Sequence, residues 1–276
     1  MKNIALISDS DDVSRALLDQ IGAAVGKQLA GDVARHWPVT GTIATFGTLM
    51  EMPAGYSPIV IKDRLPFDGA VGAHWTESGD AFAVVLGTSD PNEVSLAVSH
   101  EAIEMMIDPK GELLRPGPSP VAGQGQVQFV VEVCDPVQDR DCGYRIDGIL
   151  LSDFCTPAFF SDGSAPFSWQ KNIAGPRALA AGGYMSWLTG DNHIWQGSGL
   201  GPAFAATDKG PYDPTLPIRF QTDRLGAEQT LAAIRNSGRR RKPFGAKRPS
   251  GKYDRKLAIL DRLDQLLAQQ PATALA

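Results

Sequence analysis

Cysteine is scarce in this chain, with three among 276 residues (Cys134, Cys142 and Cys155). That is too few for a disulfide framework, and an odd number leaves one unpaired under any scheme. Free thiols in a reducing compartment are the expectation; Cys134 and Cys142 flank an expected hairpin and would pair only in an oxidising space. Long apolar runs are missing too. Nothing approaches the ~20 residues that a membrane-crossing helix requires, so no membrane partner is expected. The N-terminal apolar run Ile4–Ile7 is far shorter than the ~7–15 residues of a secretory signal core, and Asp9, Asp11 and Asp12 follow it. No signal peptide is read, and a cytoplasmic location is expected. There is also no internal repeat, which excludes a solenoid or propeller array.

What the chain does have is an ordinary globular composition, 43% hydrophobic and 21% charged. At this length folding removes roughly three quarters of the unfolded surface from water, so a core can form without cross-links. The net charge of −5 conceals an asymmetry. Between Arg235 and Lys256 there are ten Lys/Arg and one Asp, a net of +9, which leaves −14 for the rest. The basic run Arg239-Arg240-Arg241-Lys242 with Lys247-Arg248 is a candidate to dock on an acidic protein surface or on nucleic acid. Only Phe244 and Tyr253 interleave it as aromatics, which argues against base stacking.

Hydrophobic patterning predicts an α+β fold. Residues 3–8 read as a buried strand, followed by a helix from a Ser10 cap to about residue 34. Strands are expected at Thr42–Leu49, Pro58–Lys62 and Ala81–Leu86, with residues around Gly69–Trp75 pairing to the last. A helix follows from Asp90. Gln126–Cys134 and Tyr144–Leu151 read as a hairpin. Residues 154–220 show little periodicity and are expected to form ordered loops. Thr222–Asn236 is expected to be helical, Ser237–Gly251 a linker, and Tyr253–Gln269 an amphipathic helix suited to assembly. This gives a domain over 1–220 with a loop-rich C-terminal part, and a helical, basic tail over 221–276.

The helix after Asp90 carries the chemistry. Asp90 can cap it, Pro91 suits its first position, and Glu93 completes a capping box. Pro109 closes it near Ile107 or Asp108. Nine of the fourteen residues from Val94 to Ile107 are apolar and spread around the helix, so it should be buried. His100, Glu101 and Glu104 nevertheless lie in its middle, and it contains no Lys or Arg. Buried carboxylates without a positive partner are costly, and a bound cation is the economical answer. His100 and Glu104, at i and i+4, share a face about 6 Å apart and can chelate one ion. Glu101 lies on a neighbouring face, within reach of a water on that ion.

The stretch Ser99-His100-Glu101-Ala102-Ile103-Glu104-Met105, behind a strand–helix–strand order, resembles the zincin-type metallopeptidase domain, with Glu104 where that family has a second His. With Asp108-Pro109, Glu132–Asp135 and Ser152–Phe154 it also resembles uncharacterised bacterial and phage proteins. The resemblance spans about residues 1–190. It implies a zincin-like mixed sheet with an active-site helix, and a divalent metal, zinc by preference, bound by His100 and Glu104. Glu132 is the first candidate for third ligand and Asp108 the second, ahead of Asp135, Asp153 and His193. It further implies a metal-activated water with Glu101 as general base, and a peptide or protein substrate adding as a strand along Ala81–Leu86. Tyr184, in the turn Gly182–Met185, is a candidate transition-state donor, or a residue of a plain core turn. His74-Trp75 would be structural or line a cleft. Trp169, Trp187 and Trp195 read as packing residues or a sugar platform, and His36 as a helix-end residue. The contrasting expectation is a non-catalytic assembly protein, a phage-like particle component whose basic tail and last helix do the work.

Overall fold

The computed structural model describes residues 2–65, 71–77, 80–214, 218 and 221. The architecture is α+β. The chain opens with strand β1 (Lys2–Ser8), helix α1 (Arg15–Gly31), and strands β2 (Gly41–Phe46), β3 (Tyr56–Lys62), β4 (Gly72–Glu77) and β5 (Asp80–Leu86). These strands form one sheet in the order β2-β1-β3-β5-β4, parallel except for the antiparallel pair β4–β5. The inner strands are near-continuous apolar runs because both faces are covered. Ile4, Leu6, Ile59, Ile61, Ala83 and Val85 point into the core shared with the helices. Ala5, Ile7 and Val60 face a smaller cluster with Leu49 and Met52.

Helix α2 (Pro91–Ile107) follows β5, and twelve of its seventeen residues are buried. A second, antiparallel sheet has the order β12-β11-β10-β7-β6. It is built from β6 (Leu114–Pro118), β7 (Gln126–Val130), β10 (Tyr184–Leu188), β11 (His193–Ser198) and β12 (Ala205–Pro211), with the small hairpin β8 (Tyr144–Ile146) and β9 (Ile149–Leu151) between. Val127, Phe129 and Trp187 of this sheet join the core that Ile4 and Leu6 belong to. No helix among the described residues is long and apolar enough to cross a membrane.

Several expectations change. Ser14, not Ser10, caps α1, its Oγ accepting from Leu17 N. Ser10 instead turns the chain by accepting from Asp12 N. Glu93 accepts from Thr88 Oγ1 while Asp90 alone caps α2 through Asn92 N, so the expected capping box is replaced by a longer-range contact. Gln126–Cys134 does not pair with Tyr144–Leu151: β7 sits between β6 and β10, and β8–β9 is a hairpin of its own. The expected loops of 154–220 contain three strands, β10 to β12. Ala81–Leu86 is an inner strand; β4 takes the edge because its antiparallel return places it outside β5. The three cysteines are free and buried. Trp187 is fully buried, and His36 packs edge-on against Trp169. The expected elements from Thr222 onward lie outside the described residues.

Candidate metal centre

Three pieces of chain converge on α2. On an α-helix successive residues are about 100° apart, so Glu104 projects between His100 and Glu101. Glu101 faces β4, and His100 faces the segment after β7. In β4, Gly72, His74 and Thr76 share one face by the period of two, opposite Val85, Ala83 and Ala81, which belong to the core on the α2 side. His74 is therefore delivered to Glu101, and Gly72 lets the carboxylate in: a Cβ there would lie 2.7 Å from Glu101 Oε1. The third piece, residues 131–135, is tied down by Val131 N to Leu113 O and Cys155 N to Val133 O. It carries Glu132 and Asp135, and Cys134 N donates to Glu104 Oε1 at 3.1 Å.

The result is four carboxylates and two imidazoles in one place. Glu101, Glu104, Glu132, Asp135 and His74 are buried, and His100 keeps 13% of its side chain exposed. His74 Nδ1 is 2.9 Å from Glu101 Oε2 and 3.6 Å from Glu104 Oε2. A carboxylate can only accept, so Nδ1 carries the proton of that hydrogen bond. His74 Nε2 is buried and makes no hydrogen bond; Glu132 Oε2 lies 4.0 Å away. His100 Nε2 is 3.2 Å from Glu104 Oε2 and 3.2 Å from Asp135 Oδ1, which takes no hydrogen bond of good geometry. Burial alone would push the His100 imidazolium down. The Glu104 charge and the contact with Asp135 outweigh it and hold its pKa well above the ordinary histidine value.

Two sets of side chains can close on an ion, each with ligand atoms within 4.8 Å of one another: His74, Glu104 and Glu132, and His100, Glu104 and Asp135. The expected triple of His100, Glu104 and Glu132 is thus divided, with Glu104 common to both sets. His74 enters as a ligand candidate that its isolated position in the sequence concealed. The available signal was the alternation Gly72-His74-Thr76 in a strand next to a helix rich in acids.

Other predicted residues lie elsewhere. Asp108 ends α2 and its carboxylate accepts from Leu113 N at 2.6 Å, which turns the chain toward β6; it belongs to neither set. Asp153 accepts from Phe154 N, Gln170 N and Asn172 Nδ2, and so fastens the 168–172 loop. Burial raises its pKa against those hydrogen bonds. His193 pairs with Asp208 on β11–β12. Tyr184 opens β10. Gly183 before it packs on the Pro136 backbone, too close for any Cβ, so that strand starts beside the turn that carries Asp135. Tyr184 is in neither ligand set. Comparison of the chain with protein-family models, curated proteins and solved structures gave no match.

Proposed function

We propose that the protein is a metal-dependent hydrolase of the zincin type, acting on peptide bonds, and that His74, Glu104 and Glu132 hold its divalent ion. The observation that carries this reading is His74 Nε2, a buried ring nitrogen with no hydrogen bond, on an imidazole that Glu101 orients from the other side. A carboxylate behind a histidine is the usual support of a metal ligand. A divalent ion there would supply Lewis acidity to a carbonyl and acidify a water, which zinc does well with nitrogen and oxygen ligands. Glu101 is the proton acceptor: Oε2 holds His74, and Oε1 lies beside the Gly72 backbone. The antiparallel edge strand β4 next to the helix supports the zincin reading and is where an extended peptide would add. The test is Glu101→Gln, whose amide oxygen still accepts from His74. We expect stoichiometric metal with peptide cleavage reduced by 10²-fold or more. Unaltered cleavage by the variant, or none by the metal-loaded chain on a peptide library, refutes the reading.

Burial of all three side chains in the first set favours a second reading, in which the ion is structural, since structural sites are closed. The protein would then serve assembly, through the basic run of Arg235–Lys256 and the leucine-rich segment after it. Chelation that unfolds the chain, without any cleavage activity having been present, selects this reading.

A further inference from the structure

We propose that the centre binds two divalent transition-metal ions, bridged by Glu104, with His74 and Glu132 on one and His100 and Asp135 on the other. The inference rests on the reading of this cluster as a metal centre and deepens it. The two ligand sets have three members each and share only Glu104. In the first set His74 Nε2 makes no hydrogen bond; in the second Asp135 Oδ1 has His100 Nε2 at 3.2 Å without hydrogen-bond geometry. His74 and Asp135 are 1% and 3% exposed, so bulk solvent does not reach either atom. An ion in the first set alone would leave Asp135 Oδ1 on that misaligned contact, and an ion in the second alone would leave His74 Nε2 without a hydrogen bond. Glu104 is common to both sets, each with ligand atoms within 4.8 Å of one another, and its Oε2 lies 3.2 Å from His100 Nε2.

Charge agrees. Glu101, Glu104, Glu132 and Asp135 carry −4 when ionised, and with neutral imidazoles two divalent ions bring the cluster to zero. The donor set is carboxylate and imidazole with no thiolate, which suits manganese, iron, cobalt or zinc over copper(I). The sets differ in access. His74, Glu104 and Glu132 are all buried, whereas His100 is partly exposed. The ion between His100 and Asp135 is therefore the more exchangeable of the two.

The experiment is a titration of the full chain, stripped of metal, with Mn²⁺, read by metal analysis and electron paramagnetic resonance. We expect two equivalents per chain and, at saturation, an exchange-coupled spectrum in place of the hyperfine pattern of isolated ions. Asp135→Asn and His100→Gln should each reduce binding to one equivalent and restore the isolated-ion spectrum, with far-UV circular dichroism unchanged. Two variants on one ion guard against a failure of either to fold. Saturation at one equivalent in the unaltered chain overturns the proposal, as does a coupled pair that survives both substitutions. One ion with chelator-sensitive peptide cleavage refutes this inference alone; two coupled ions with no cleavage refute the hydrolase reading alone.

Discussion

Burial acts in opposite directions on two kinds of side chain in this molecule. For the imidazole of His100 the neighbouring acids overcome it. For the three thiols nothing does. Desolvation raises Cys134 and Cys155 well above the ordinary thiol value, with the Glu104 and Asp153 charges respectively adding to the effect, and raises Cys142 to about 11. The thiolate is the nucleophile, so at pH 8 the folded protein should react with iodoacetamide far more slowly than the denatured chain, which should take up three labels. The raised values also have a thermodynamic sign. The folded state holds these protons above the pH at which the unfolded chain releases them. Their contribution is fully present below pH 9.0 and is lost as pH rises toward 11 and beyond. Denaturant midpoints that stay level through that range, or rapid labelling of the native protein, would count against buried, neutral thiols.

At the scale of elements the site depends on how closely α2 and β4 approach. Gly72 gives the clearest handle, because Ala at that position puts Cβ 2.7 Å from Glu101 Oε1. The obstacle is the end of a side chain, so the strand can stay and the carboxylate must move, at a cost of about 1–3 kcal/mol. The Glu101–His74 hydrogen bond is lost with it. Gly72→Ala should therefore fold, melt slightly lower, and bind metal about 10–100-fold more weakly, the usual effect of removing a ligand's support. Gly183→Ala makes the contrast: its Cβ meets the Pro136 backbone, which cannot rotate away, so stability falls further. Isothermal titration with Mn²⁺ and thermal melts of the two variants separate these effects; an unchanged affinity in Gly72→Ala would mean that Glu101 does not position His74. The same elements show what could be read from sequence. The strand–helix beginning, the Asp90 cap and the buried acids of α2 were legible because apolar period, capping residues and charge scarcity are local. The strands β10 to β12 were not, because segments such as Ala205–Pro211 have weak β propensity and take their conformation from register with their neighbours. The site was half legible for the same reason. His100, Glu101 and Glu104 are one helix, whereas His74 and Asp135 reach it through the sheet edge and the chain beyond β7.

At the scale of the molecule, the two larger sheets share one hydrophobic core among the described residues. Phe129 and Trp187 of the second sheet are fully buried in a cluster that also holds Leu6 and Ile61 of the first and Val98 and Ile103 of α2. The candidate metal centre repeats this connection in polar form, because the side chains that could hold an ion come from β4, from α2 and from the segment that leaves β7. Bringing carboxylates out of water costs on the order of several kcal/mol per charge, which is a large share of the roughly 5–15 kcal/mol that holds a domain together. An ion that binds only the folded state offsets that cost by mass action, about 2.7 kcal/mol at a free concentration one hundred times its Kd. Because the charges straddle both sheets, the stabilisation cannot be confined to either. We therefore expect one cooperative transition, with Trp fluorescence and far-UV circular dichroism melting together, and we expect EDTA to lower both midpoints by the same amount. The fluorescence is read in a Trp37→Phe, Trp75→Phe variant, which keeps Trp187 and Trp195 of the second sheet and Trp169 of the loop before it, while the helices on the first sheet dominate the dichroism. If chelation lowered the dichroism midpoint and left the fluorescence midpoint in place, the cluster would be serving the first sheet alone, and Glu132 and Asp135 would not be ligands.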